Sequence, residues 1–194
     1  MKGLRSKDMA PRVSVIRIAQ YGEALCTREE AVPVAETICS QLRRGEVLLI
    51  GFGGVQVASI SFLDELLVRL HVELLQSPEC MLIAHGLNST VREHVASIAV
   101  RRQIVLAVVS RSGVALLGGD PRLRRMLRAA RDLDSEFTTA ELIDKLPRAR
   151  DVEQNVKTLV DNGVLCGYLN PAIPASAQKL RRPPTAGMLA DLAD

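Results

Sequence analysis

Hydrophobic residues along this chain form two kinds of pattern, which alternate over the first 110 positions. Short runs of β-branched and aliphatic residues predict strands, and the segments between them place apolar residues three or four positions apart, as on one face of a helix. The predicted strands are 13–18, 46–52, 80–85 and 104–109, and the predicted helices are 28–44, 62–76 and 89–101. This alternation predicts an α/β fold with a mainly parallel sheet and helices packed on it.

The pattern changes after residue 110. The run VALLG (114–118) predicts either a hairpin with the preceding strand or an isolated strand. A helix then begins at Asp120-Pro121, and a second begins at Thr138, where the spacing to Glu141 fits a capping box. A third helix is predicted over 151–162, with a short strand after it. This order of elements is typical of a winged helix.

Four segments follow from these patterns. Residues 1–12 are predicted to be a flexible N-terminus and 13–109 an α/β domain. Residues 110–170 are predicted to be a winged-helix domain. Residues 171–194 are predicted to be a tail, because four prolines fall in 24 residues and no long periodic run appears.

Charge is unevenly distributed along the chain. The formal net charge is +3, but residues 101–150 carry 11 Lys and Arg against 6 Asp and Glu. A polyanion or an acidic partner would therefore act on this middle segment. Aromatic residues make up only 3% of the chain, which leaves few rings for stacking on unpaired bases and counts against single-stranded nucleic-acid binding.

Residues that could carry chemistry are sparse. The four cysteines form no CxxC pair and the three histidines come from separate elements, so we expect no metal, no cofactor and no catalytic constellation. The segment 51–54 (GFGG) lacks the Lys of a phosphate loop and is interpreted as a tight turn. The absence of a signal-type run and of any apolar stretch of about 20 residues predicts a cytoplasmic protein without membrane contact.

Three stretches resemble the STAS-like family, whose relatives include the anti-sigma-factor antagonists. They are LCTREEA (25–31), VLLIGFGGVQVASISFLDELL (47–67) and LIAHGLNSTVREHV (82–95). The resemblance implies a mixed sheet with packed helices and a protein partner such as a GHKL-type ATPase. It also implies a phosphoacceptor at Ser61, with Ser59 next. The family usually has Asp where this chain has Gly51.

The same segment has interpretations from the residues alone. Ser61 stands just before an apolar helical stripe, so we expect it to be the N-cap of a helix that begins at Phe62. Asp64 and Glu65 are adjacent on that helix and diverge by roughly 100°, which excludes a shared reacting atom. They are predicted to form either a partner-binding surface or a solvated face in the first turn.

The segment FTTAELIDKLPRARDVEQNVKTLVDNGVLCGY (137–168) resembles a bacterial winged helix-turn-helix. The candidate DNA contacts are the outward residues of the third helix, the arginines at its start and one stripe of the first helix: Gln154, Asn155, Lys157, Thr158, Arg148, Arg150, Arg124, Arg128 and Arg131. Asp151, Glu153 and Asp161 would repel phosphates, so a winged helix used for protein contact or dimerisation is the alternative.

Taken together, the lack of a catalytic constellation and the two resemblances imply a non-enzymatic regulatory protein. In this hypothesis the STAS-like domain binds a protein partner and the winged helix binds duplex DNA. The alternative is an adaptor or structural subunit of a larger assembly that uses both domains for protein contacts, and a homodimer is compatible with either.

Overall fold

The computed structural model of the chain describes residues 12–42, 46–110, 113–167, 174, 177–184 and 189. The predicted flexible N-terminus, apart from Arg12, lies outside these residues. In chain order the elements are β1 (Val13–Arg17), β2 (Ala24–Leu25), α1 (Arg28–Gln41), β3 (Val47–Gly51), β4 (Val57–Ala58), α2 (Ile60–Gln76), β5 (Met81–His85), α3 (Ser89–Arg102), β6 (Leu106–Ser110), β7 (Gly113–Leu117), α4 (Pro121–Arg131), β8 (Glu136–Thr138), α5 (Thr139–Lys145), α6 (Val152–Asp161), β9 (Cys166–Gly167) and β10 (Lys179–Arg181).

A five-stranded sheet lies at the centre, with the strand order β1-β3-β5-β6-β7. The first four strands are parallel, and β7 is antiparallel to β6. The register sets Val47 beside Val13 on one side and Met81 on the other. This arrangement confirms the predicted α/β class with a mixed sheet.

The sheet is buried on both faces, and successive residues of a strand face different helices. In β3, Leu48 and Ile50 belong to a core shared with α1, α2 and α3. Their neighbours Val47 and Leu49 belong to a second core shared with α4, α5 and α6. Every residue of β3 and of β5 is buried, as expected for strands that read as continuous apolar runs.

Short polar residues cap the helices of the first half of the chain. Thr27 and Glu30 form a capping box at the start of α1. The prediction that Ser61 caps the next helix is wrong. That helix begins at Ile60, and the N-cap is Ser59, whose hydroxyl accepts a hydrogen bond from the Phe62 amide at 3.1 Å. The apolar stripe starts only at Phe62, so the pattern missed the first turn.

Helix starts in the second half match their sequence signals. Asp120 Oδ1 accepts the amide of Arg122 at 2.6 Å, and Pro121 occupies the first helical position. Thr138 and Glu141 form the expected capping box of α5. Three short antiparallel strands, in the order β8-β10-β9, complete this half.

Two of the predicted segment boundaries differ from those in the structure. The structure places β7 in the central sheet, with Leu117 opposite Leu106, so the predicted limit at 109/110 falls inside a hairpin. The segment predicted as a tail contributes β10, whose Leu180 is buried in the second core together with Leu189. A three-residue strand with one apolar residue carries no periodicity, which is why the pattern failed there.

The glycine-rich segment after β3 is the tight turn that the sequence predicts. The Val55 amide donates to the Phe52 carbonyl at 3.0 Å, and Gly54 has a φ of +86°, which favours glycine at the third position of a turn. Gly51 closes β3 beside His85. A Cβ on Gly51 would lie 2.6 Å from His85 Nε2, so this glycine gives the buried imidazole its space.

The core assignment predicts the effect of two leucine substitutions on one helix. Leu66 has 0% of its surface exposed, so Leu66→Ala should lower the free energy of unfolding by about 2–5 kcal/mol. Leu75 is 50% exposed on the same helix, and Leu75→Ala should change it by less than about 0.5 kcal/mol. Denaturant titration of both variants checks this. Equal losses would contradict the packing of α2 on the sheet.

Candidate nucleic-acid interface

Helix α6 is fixed to the rest of the molecule along its inner face and at its end. Val156, Leu159 and Val160 are buried in the second core. At the end of the helix, the Val105 amide donates to Asn162 Oδ1 at 2.8 Å, and the Leu82 amide donates to the carbonyl oxygen of Gly163 at 2.9 Å. The central sheet therefore sets the position of α6.

Gly163 permits this junction. Its φ of +64° is a left-handed conformation that terminates the helix, as the Asn-Gly pair predicts. A Cβ at this position would lie 2.8 Å from the Leu74 side chain, so α2 also packs closely against the turn. Asn162 is 5% exposed and accepts the bond from Val105, 57 residues earlier and directly before β6, a contact that sequence periodicity did not show.

Several predicted DNA contacts on the outer face of α6 already have intramolecular partners. Lys157 Nζ lies 2.6 Å from Asp161 Oδ2, one turn along the helix. The hydroxyl of Thr158 donates to the Gln154 carbonyl at 3.0 Å, and Asn155 is half-buried. Of the predicted base readers, Gln154 and Lys157 are exposed on this face, and Lys157 is the one that is already paired with an acid. The available polar surface is therefore concentrated at the start of the helix.

Arg148 and Arg150 stand in the turn that leads into α6, and both are exposed. Within the described ranges neither has an ion-pair or hydrogen-bond partner for its side chain. Asp151 holds the N-cap position with a φ of +57° and no side-chain bond to the first turn. The start of α6 thus combines two unpaired cations with free helical amides, a combination that attracts anions.

The predicted arginine stripe of α4 is only partly available. Arg124 and Arg128 are exposed, whereas Arg131 is half-buried, with its guanidinium against Gly113 at the start of β7. Sequence reasoning missed Arg122 as a site residue. Its Nη1 lies 3.6 Å from Asp151 Oδ2, so it forms an exposed ion pair with an acid at the start of α6.

The two serines named as phosphoacceptors differ in accessibility. Ser59 is half-buried, and its hydroxyl donates to the Cys26 carbonyl while it caps α2. Ser61 is exposed in the first turn of α2. Ser61 is therefore the better placed of the two for a modifying enzyme, and its modification stays a prediction.

The structure places Asp64 inside the molecule, whereas the sequence favoured an open surface. Asp64 is 2% exposed, and its carboxylate accepts hydrogen bonds from Arg101 at 2.9 Å and from Arg102 at 2.6 and 2.8 Å. Arg28 approaches the same carboxylate at 3.6 Å. These bonds, above all those from Arg102, lower the pKa of Asp64 to about 2, despite an opposing effect of burial.

Glu65 is half-buried beside this group and pairs with Arg69 at 2.6 Å. Both acids lie in the second turn of α2, because the helix begins at Ile60. Asp64 therefore acts as a link between α1, α2 and α3. The sequence does show the Arg101-Arg102 pair at the end of a predicted helix. Periodicity alone does not indicate that these arginines contact Asp64.

Other kinds of site find little support in the described part of the chain. No group of three or more His, Cys, Asp or Glu side chains there is arranged to hold a metal ion. None of the helices in the described ranges is both long enough and apolar enough to cross a bilayer. Comparison with protein-family models, with curated proteins and with solved structures finds no match to this chain.

The burial of Asp64 predicts a pH-dependent stability. Asp64→Asn should lower the free energy of unfolding by about 1.5–3 kcal/mol at pH 7, because charge-assisted hydrogen bonds are lost. The folded pKa of about 2 lies below the ordinary 3.8, so the stabilisation is complete above pH 3.8 and is lost as pH falls through 2. Denaturation of both proteins from pH 7 to pH 2 should show the difference disappearing. A difference that stays constant would contradict this role.

Proposed function

We propose that this chain is a non-enzymatic regulator whose second half is a winged helix that binds duplex DNA through the start of α6. The supporting observation is the order α4-β8-α5-α6-β9-β10, with the three strands paired as β8-β10-β9. In a winged helix, one strand separates the first two helices and two strands follow the third helix, which enters the major groove.

The ion pairs at α6 make its surface more favourable to DNA than the acidic residues in its sequence suggest. Of the three acids on or beside this helix, Asp151 is paired with Arg122 and Asp161 with Lys157. Glu153 is exposed without a partner within the described ranges. Arg148 and Arg150 are then the free cations nearest the helical amides, so the proposed phosphate contact lies there rather than at Lys157.

The adaptor function is the second candidate, and one observation favours it. Among the described residues, the exposed large hydrophobic side chains all lie between positions 57 and 100: Val57, Ile60, Val72, Leu75 and Val100. They belong to the layer of α1, α2 and α3, opposite α6. Exposed apolar residues of this kind suit a protein partner better than a nucleic acid. The adaptor candidate therefore places protein contacts on the first layer.

The DNA proposal predicts a change in affinity and in its salt dependence. The pair Arg148→Ala and Arg150→Ala should lower the slope of log K against log salt by about two units, since each phosphate contact contributes about 0.9. The measurement is fluorescence anisotropy with a mixed-sequence duplex between 20 and about 200 mM salt, a range in which such contacts change affinity strongly.

A matched control removes the same charge elsewhere. Arg17→Ala with Arg92→Ala changes β1 and α3, on the other half of the chain, and should leave the slope unchanged. Equal effects of the two pairs would show that only net charge acts. Wild-type protein that binds no duplex even at low salt would overturn the DNA proposal and leave the adaptor function as the better candidate.

A further inference from the structure

A cluster of charged side chains joins the three helices of the first layer. Asp64 lies at its centre, and arginines reach it from the start of α1 and the end of α3. This group, called the arginine cluster below, consists of Arg28, Asp64, Glu65, Arg69, Arg101 and Arg102. It is separate from α6, which packs on the opposite face of the sheet.

The cluster has more positive than negative charge. Four guanidinium groups surround two carboxylates, which leaves a formal excess of two positive charges in the group. Arg101 and Arg102 donate to the same oxygen of Asp64, at 2.9 and 2.8 Å, so their like charges are held close together. An added anion would reduce this repulsion.

The two carboxylates do not use all the donors that these arginines offer. Each guanidinium has five N–H groups. Arg102 uses Nε and Nη2 on Asp64, whereas Arg101 uses Nη2, and Arg28 approaches no closer than 3.6 Å. The side chains of Arg28 and Arg101 are 59% and 57% exposed. Their remaining donors are therefore open to solvent, and a hydrogen bond to the buried Asp64 positions Arg101.

We propose that the arginine cluster is a binding site for a dianionic phosphoryl group. The charge of such a group matches the excess of two, and arginine forks bind phosphate oxygens through paired hydrogen bonds. Asp64 is a positioning residue, because its oxygens are occupied by Arg101 and Arg102 and it holds both side chains in place. The outer donors of Arg28 and Arg101 contact the ligand.

The ligand chemistry is a phosphate ester or free phosphate, and its source is either a small molecule or a phosphorylated side chain of a partner. Binding bridges α1 and α3, so it should stabilise the folded protein by mass action. This site does not depend on DNA binding by α6, and either proposal can fail alone.

The first experiment measures thermal unfolding of the full chain at pH 7.5 with added phosphate, sulfate or chloride at equal ionic strength. We expect a saturable rise in Tm with phosphate and with sulfate but not with chloride. At pH 5 phosphate is mainly a monoanion, so its apparent affinity should fall about tenfold while that of sulfate stays the same. Equal Tm values in phosphate and chloride at pH 7.5 would overturn the proposal.

The second experiment uses variants that retain the paired hydrogen bonds between Arg102 and Asp64. Arg28→Gln with Arg101→Gln should weaken phosphate binding at least tenfold, whereas Arg17→Gln with Arg92→Gln removes the same charge outside the cluster and should leave it unchanged. If the first pair unfolds, Arg28→Lys with Arg101→Lys keeps the charge but loses the forks, and should still weaken binding severalfold. Wild-type affinity in a folded cluster variant would overturn the proposal.

The third experiment separates the sources of the ligand. Inorganic phosphate, free phosphoserine and a short phosphoserine peptide are titrated into wild-type protein, each against its unphosphorylated counterpart or chloride. A peptide that binds more than tenfold tighter than phosphate supports a phosphorylated partner, and equal affinities support a small molecule. Binding of none of the three contradicts the site.

Discussion

The structure depends on one constraint, which is that both faces of the central sheet must be covered. Each residue of β3 and β5 is buried, and their alternate side chains enter two separate cores. Helices α1 to α3 cover one face and α4 to α6 cover the other. Removal of either layer would expose a full row of aliphatic side chains, which is strongly unfavourable. The second half is thus tied to the first by apolar burial as well as by chain connectivity.

This constraint also explains the location of the two proposed sites. The inner face of α6 is occupied by the second core, and its end is bonded to the starts of β5 and β6 through Gly163 and Asn162. Only its outer face and its first turn are left for DNA. On the opposite layer, the start of α1, the second turn of α2 and the end of α3 bring Arg28, Asp64 and Arg101 together. The sheet therefore lies between the proposed phosphoryl site and the proposed DNA surface.

Much of this fold could be predicted from the sequence, because strong local signals agree with the tertiary packing. The capping residues Thr27, Asp120 and Thr138 lie at helix starts, and the aliphatic runs become strands. The failures concern partners that are distant in sequence. Leu180 becomes part of a strand by pairing with Phe137 and Gly167, and the buried Asp64 is satisfied by Arg102 from another helix. Local periodicity carries no information about either contact.

The central claim is that one sheet supports both helical layers. Its most direct test is residue-resolved hydrogen exchange in a protein with one core substitution in the layer of α4, α5 and α6. Leu159 is 0% exposed in the core beneath α6, and Leu159→Ala should destabilise that core. If the sheet unites both layers, amides of 47–51 and 81–85 should lose as much protection as those of 152–161, because all open in one cooperative unit. Loss of protection confined to residues 121–181 would show that the second half unfolds independently, and would contradict the shared sheet as the basis of the fold.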